Sequence, residues 1–383
     1  MNESSRRRAC AMLAIALTMA LSACGSSKDQ GSQPTVSPES TQITDIVRSK
    51  LSELGLTAAV FGVWRGDKSL ALGAVGESPL GVPATADMRL RVGQPMEPML
   101  STVLWHLDEQ GVVGLDQPIN RWLPDFPRAD RITPRMLADS TSGISDYVTN
   151  PDFLKRFTDN PFHTWTAQEL FDLANARPPL FDPGTSFAYA HSDLVVLGEV
   201  LQKATGKPLG ELIRRYVLDP LRMRDSEVVL NARIDEPVLH GYTTERKVFE
   251  DATNWNPTAF IHSGNMNSTV TDVGRWVRAL GKGELLSAKQ FQQMMAPSTA
   301  GLGPLTDQKF FAFGLPHLGD WFFMNPSYGG YYGVALYDTK TATTIVVYAT
   351  LGPTSDPNKN GAISIGSALA TLLVPDRPPQ IPA

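Results

Sequence analysis

Cysteine is nearly missing from this chain, and its scarcity excludes a good deal. Cys10 and Cys24 are the only two among 383 residues. Both lie near the N-terminus, so no disulfide framework, thiol nucleophile or cysteine-rich zinc site serves the bulk of the chain. Histidine is thin as well. His106, His163, His191, His240, His262 and His317 are dispersed, with no HExxH or paired spacing, so no metal and no other cofactor is expected. No apolar run reaches the roughly 20 residues that a membrane-spanning helix needs. Strong charge of either sign is also lacking. A formal net charge of −5 offers no basic face for nucleic acid and no polybasic grip on anionic lipid. No internal repeat recurs, which excludes a solenoid.

What is present begins with a targeting pattern. Arg6, Arg7 and Arg8 precede an apolar stretch from Ala9 to Ala20, and small residues follow. This reads as a secretory signal over residues 1–23. Leu21-Ser22-Ala23-Cys24 has the form of a lipobox, which makes Cys24 the expected lipidation site and the mature N-terminus. An ordinary signal peptide with an incidental cysteine is the plainer alternative. With the lipid, the protein is expected outside the cytoplasmic membrane, in the cell envelope, held to the membrane by its anchor alone.

Residues 24–40 carry the lipid and a Ser-, Pro-, Gly- and Gln-rich stretch with little to bury, expected as a flexible linker. Ile43, Ile46, Val47, Leu51 and Leu54 then recur at helical spacing, with Gly55 as the stop. Ala58 to Trp64 and Ser69 to Val75 read as a β-hairpin around Arg65-Gly66-Asp67-Lys68. A largely helical middle is expected over 94–289. Strands return at Trp321 to Met324, Tyr332 to Tyr337 and Thr343 to Thr350, before an amphipathic helix with Ile365, Leu369, Leu372 and Leu373. The fold class that follows is α/β, with a mainly antiparallel sheet built from both chain ends, flanked by helices, around a large helical insertion. The domain is expected over 41–375, its α/β lobe from about 41–93 and 290–375, with a loose tail over 376–383.

Several stretches carry a resemblance. Leu90-Arg91-Val92-Gly93 is followed by Leu115-Asp116-Gln117-Pro118-Ile119 and Trp122-Leu123-Pro124. Ile132 to Leu137 then closes on Thr141-Ser142-Gly143-Ile144. Phe187-Ala188-Tyr189, Val196-Leu197-Gly198, Ala204 to Lys207 and Pro220 to Asp225 complete the series. In this order the chain resembles the serine β-lactamase and penicillin-binding-protein family, especially its class C and esterase-like branch. The resemblance covers about residues 57 to 350 and implies the serine β-lactamase/DD-peptidase fold. It also implies a serine hydrolase of esterase, peptidase or β-lactamase type. In that chemistry a serine attacks an acyl carbonyl, a lysine three residues on assists, a tyrosine relays protons and a Lys/His-x-Gly element closes the site.

The residues at those positions differ here. Gln94 and Glu97 stand where the resemblance places the serine and the lysine, Ser140 stands for a histidine, and Asn325-Pro326-Ser327 falls at the Lys/His-x-Gly element. Tyr189 is kept, with His191 two residues on in place of an asparagine. A glutamine amide is not a nucleophile, because its nitrogen lone pair is delocalised. No serine in the chain has lysine three positions later, so the pair has not moved elsewhere. Glu97 replaces a cation with an anion, and a substrate carboxylate 4 Å away is expected to meet repulsion of about 4 kcal/mol.

As a core helix the segment reads well. Met96, Met99, Leu100, Val103, Leu104 and Leu107 share one face, and Pro95 suits a first turn, while Pro98 is expected to delay the helix. No catalytic residue is therefore expected by the usual mechanism, and the expected role is a binding protein for a peptidoglycan fragment or an envelope protein. Two alternatives stay open. One is a hydrolase with a rearranged site using Tyr189 with His191, or a loop serine such as Ser142 or Ser263. The other is an envelope scaffold with a filled cleft. The polar run Ser263, Asn265, Asn267 and Ser268 reads as a loop near the cleft.

Overall fold

The structure is a computed structural model that describes residues 37–381. The expected signal segment, the lipobox and Cys24 lie outside the described residues. The first element is the helix Pro38–Glu53. Ser37 caps it by accepting a hydrogen bond from the Ser40 N–H at 3.1 Å, Pro38 sits in the first turn, and Glu39 lies near the positive helix end. This corrects the expected linker over 24–40, whose last residues spell a helix start rather than a tether. Gly55, at φ 64°, follows the helix as expected.

The main sheet runs, in spatial order, Lys68–Gly76, Ala58–Arg65, Thr343–Thr350, Tyr331–Asp338, Trp321–Met324, Leu315–Leu318 and Lys309–Ala312. Every neighbouring pair is antiparallel, and a short strand, Ser327–Tyr328, also pairs with Tyr331–Asp338. The chain ends thus meet in the centre of one sheet, with Ala58 opposite Thr350. Both central strands from the C-terminal part are buried at every position, as strands covered on both faces must be.

Period-two alternation divides the core. Phe61, Val63, Ile345, Val347 and Ala349 face the two terminal helices, where Ile43, Val47, Ile365 and Leu369 meet them. Val60, Trp64, Val346 and Tyr348 face the other way, onto the inserted helices. Each buried Val, Leu, Ile or Phe among them contributes roughly 1.5–3 kcal/mol.

The insertion is helical in its longer elements, Glu97–Glu109, His191–Thr205 and Val270–Lys282, but not throughout. It corrects the expected helical middle in one respect. Leu90–Arg91, Met266–Ser268 and Glu227–Val228 form a small antiparallel sheet that frames the start of Glu97–Glu109. The hairpin at one edge of the sheet, Lys309–Ala312 with Leu315–Leu318, was also unforeseen. Its turn needs positive φ at both Phe313 (52°) and Gly314 (76°), and phenylalanine is a poor sequence signal for that conformation. The turn is held from outside: Phe313 N–H donates to Asp139 Oδ1 at 2.7 Å and Gly314 N–H to the Ala138 carbonyl at 2.8 Å.

The tail expected loose over 376–383 is pinned where it is described. Arg377 pairs with Asp320 and with buried Asp338, and Trp321 Nε1–H donates to the Arg377 carbonyl at 2.8 Å. Arg377 thus ties the tail to two turns of the sheet, at one of which Lys340 also pairs with Asp320 at 3.4 Å.

Candidate functional site

The backbone that leads into Gln94 is fixed from three sides. Arg91, buried, donates to Asn267 Oδ1 at 2.6 Å and to the carbonyls of Ala232 and Thr253. Asn267 therefore belongs to the frame, as does Asn265, whose amide donates to the Val229 carbonyl. The Tyr348 hydroxyl, from the central strand, donates to the Val92 carbonyl at 2.7 Å, and Trp276 Nε1–H to the Pro95 carbonyl at 2.9 Å. Gly93 then turns at φ 66°, where a Cβ would lie 2.6 Å from Pro326 Cβ. Only glycine permits that approach between the turn and the edge of the sheet.

Gln94–Met96 forms one 3₁₀ turn before the α-helix begins at Glu97. Pro98 is tolerated because first-turn N–H groups have no intrahelical acceptor anyway. The face predicted as core is buried throughout. Gln94 Oε1 accepts the Asn325 N–H at 2.8 Å, so this side chain bridges the helix start to the end of the strand Trp321–Met324. The Tyr189 hydroxyl donates to Glu97 Oε1, while Glu97 Oε2 has no hydrogen-bond partner. The edge-strand turn lies on the Glu97 backbone, where a Cβ on Gly314 would sit 2.9 Å from the Glu97 carbonyl carbon.

That packing changes the electrostatics expected from the sequence. Glu97 is 1% exposed, and burial pushes its carboxyl up to about 8, against the lowering pull of Tyr189, His191 and Gln94. At pH 7 it is mainly a neutral acid. The expected repulsion of a ligand carboxylate by an anionic Glu97 is therefore corrected: what stands there is an uncharged hydrogen-bonding group. Burial, with the neighbouring Glu97, also holds the Tyr189 phenol well above its usual value.

His191 opens the helix His191–Thr205, and its Nδ1 lies 3.0 Å from Asp146 Oδ2. Burial pulls the imidazole down, but the charge and hydrogen bond of Asp146 outweigh it and leave the pKa raised. Asp146 carries no spacing relation to His191 in the sequence, and only the fold joins them. The neighbouring residues clip the same loop onto the helix. Ser192 Oγ donates to the Ser145 carbonyl at 2.8 Å, and Ser142 Oγ donates to Asp193. Ser142 is thus fully buried and spent on structure. Ser263 borders the cleft but donates to the Phe260 carbonyl at 3.2 Å, while His262 beside it is turned to Glu199. Ser140, at φ 53°, has a buried hydroxyl without a partner.

The six positions singled out from the sequence, Gln94, Glu97, Tyr189, His191, Asn325 and Ser327, all line one cavity of about 460 Å³. Sequence reasoning missed its other wall. Leu305, Phe310, Phe311, Pro316 and His317 bring a largely apolar lining from the unforeseen edge hairpin and its approaches, and Phe187, two residues before Tyr189, adds to it. Among the described residues no group of three or more His, Cys, Asp or Glu side chains is placed to hold a metal ion, and no helix is long and apolar enough to cross a membrane.

A sheet closed by both chain ends, with a buried helix starting at its edge and a tyrosine hydrogen-bonded across the cleft, is a recognisable arrangement. A family model described as Beta-lactamase matches residues 43–370. The chain belongs to the β-lactamase family. A D-stereospecific amidohydrolase from Streptomyces superposes on it with a TM-score of 0.75 at 25% identity, covering 86% of this chain and 98% of that one. Penicillin-binding protein 4* of Bacillus subtilis is 25% identical over 224 residues, 53% of this chain and 47% of that protein. Esterase EstB of Burkholderia gladioli is 31% identical over 188 residues, 46% of this chain and 48% of that protein. The chain spans about half the length of these curated relatives. This β-lactamase-family fold, with penicillin-binding-protein, esterase and amidase relatives, keeps the frame of its site while the residues at Gln94, Glu97 and Asn325 depart from the pattern the resemblance implies.

Proposed function

We propose that this chain is an exported lipoprotein whose β-lactamase-type cleft binds a ligand at the cell envelope without the serine acyl-transfer chemistry. The observation that carries the reading is the state of Gln94. Its side chain is not a nucleophile, and its carbonyl oxygen takes the Asn325 N–H, a backbone donor beside the reacting position. Glu97, a neutral acid bonded to Tyr189, does not replace a lysine as the base that prepares a serine. The open cavity favours a binding role over a scaffold with a filled cleft. A peptidoglycan fragment or an envelope protein segment are the occupants that export to that compartment would offer, with Cys24 as the lipid anchor.

The test is covalent labelling of the purified full-length chain with a fluorophosphonate and a fluorescent penicillin, read by intact mass. No adduct is expected, and no turnover of a chromogenic cephalosporin or a short-chain ester. Turnover that Gln94→Ala abolishes would sink the reading. The double variant Gln94→Ser/Glu97→Lys is expected to gain labelling, because the backbone around it is already held by Arg91, Tyr348 and Trp276.

A second reading, hydrolysis by a rearranged site, draws on the Asp146–His191 pair beside Tyr189, whose rings lie 5.1 Å apart. It predicts an adduct or turnover that survives Gln94→Ala and is lost in His191→Ala.

A further inference from the structure

The edge hairpin turns one coherent face to the cleft. Lys309 stands opposite Leu318 and Phe311 opposite Pro316, so alternation along both strands puts these four side chains on the same side. All four line the cavity. Phe311 carries the face inward, its ring 5.5 Å from Phe187 and 5.9 Å from Tyr189. The Tyr189 hydroxyl is turned to Glu97, which leaves the ring rather than the oxygen for a ligand. Phe187, Phe260, Pro316 and Leu318 are each partly exposed, and the cavity lies against all four.

The face is also long. Lys309, Leu318 and Trp321 lie side by side on three neighbouring strands, and Asn325, at the far end of the lining, follows four residues after Trp321. With strands about 4.8 Å apart and a rise of about 3.3 Å per residue, the lining runs roughly 16 Å from Lys309 to Asn325. A track of that length, about 460 Å³ in volume, suits a linear chain better than a compact ring, since a cavity of about 150 Å³ already takes one benzene.

Charge decides which end is which. Lys309 is exposed and forms no ion pair among the described residues. Of the histidines on the lining, His191 is paired with Asp146 at 3.0 Å and His317 is buried against Phe310. A negative head at Lys309 meets an unopposed cation without being buried, and a chain running inward covers the apolar face.

We propose that the cleft binds a linear aliphatic chain with an anionic head, the chain lying along the hairpin face and the head at Lys309. The inference rests on the binding reading of this cleft and adds an acyl anion to the occupants named above.

The experiment is isothermal titration of the full-length chain, in detergent-free buffer, with dodecanoate, octanoate and dodecyltrimethylammonium, each below its micelle-forming concentration. Each methylene that reaches the wall should tighten binding about threefold, so dodecanoate is expected to bind at least about tenfold more tightly than octanoate. It should also bind several-fold more tightly than dodecyltrimethylammonium. Lys309→Gln should remove that preference and keep the dependence on chain length. Phe187→Ala is expected to do the reverse, weakening dodecanoate and the ammonium alike. If Phe187→Ala fails to fold, Lys309→Gln, which changes only an exposed side chain, still decides. No binding of dodecanoate, no gain from octanoate to dodecanoate, or a preference untouched by Lys309→Gln would overturn the inference. Ester turnover abolished by Gln94→Ala would instead overturn the inactive reading and leave the acyl-anion site standing.

Discussion

Replacing Glu97 with glutamine isolates what burial does to one carboxyl. Its pKa rises from an ordinary 4.5 to about 8 in the fold. Between those values the folded chain keeps a proton that the unfolded chain has released. Stability therefore falls as pH rises, by up to about 1.4 kcal/mol for each pH unit. The contribution is fully present below pH 4.5 and is lost as pH passes through about 8. Glu97→Gln keeps the shape and a carbonyl acceptor for the Tyr189 hydroxyl but has no proton to lose. Urea unfolding of both proteins at pH 5, 6, 7 and 8 gives the comparison. The variant is expected to gain on the wild type by about 4 kcal/mol across that span, order of magnitude. A constant offset between the two profiles would mean that Glu97 ionises in the fold as it does in water, contrary to this expectation.

Other perturbations test the frame around the cleft. Gly93→Ala places a methyl 2.6 Å from Pro326 Cβ at a positive φ, and should cost more than about 2 kcal/mol in urea unfolding. Tyr348→Phe removes the donor to the buried Val92 carbonyl; a loss of about 1–3 kcal/mol is expected, and a change below 0.5 kcal/mol would show that this bond does not hold the strand. Asp146→Asn removes the charge that raises His191, so the imidazole, followed by NMR, should titrate at lower pH than in the wild type. An unmoved titration would detach the pair. The stability contributed by a protonated His191 lies below its folded pKa and is lost as pH rises through it, so this variant should be most destabilised in acid.

Much of the fold was legible because it is written in local periodicity. The hairpin from Ala58 to Gly76, the paired strands Tyr331–Asp338 and Thr343–Thr350 and the closing helix all follow from alternation or helical spacing. The start of the first helix was written too, in Ser37 and Pro38, but linker-like composition hid it. The edge hairpin was not legible. Its turn uses Phe313 at positive φ, a conformation made acceptable by Asp139, 174 residues away in sequence. The hold on Arg377 is of the same kind, since its partners Asp320 and Asp338 lie on other strands.

At the site, the residue types are readable without a structure: a glutamine and a glutamate where the resemblance implies serine and lysine, a tyrosine kept, no displaced Ser-x-x-Lys pair. Those identities decide which bonds can be made or broken, and no packing alters them. Charge and hydrogen-bond partners came instead from the packing. Whether Glu97 is an anion or a neutral acid depends on how much water the surrounding elements remove, and those elements come from Tyr189, the Phe313-Gly314 turn and His191. Whether a serine is free depends likewise on its neighbours, as Ser142, spent on Asp193, demonstrates. Ionisation and hydrogen bonding are set by distance in space, and distance along the chain carries little of that information.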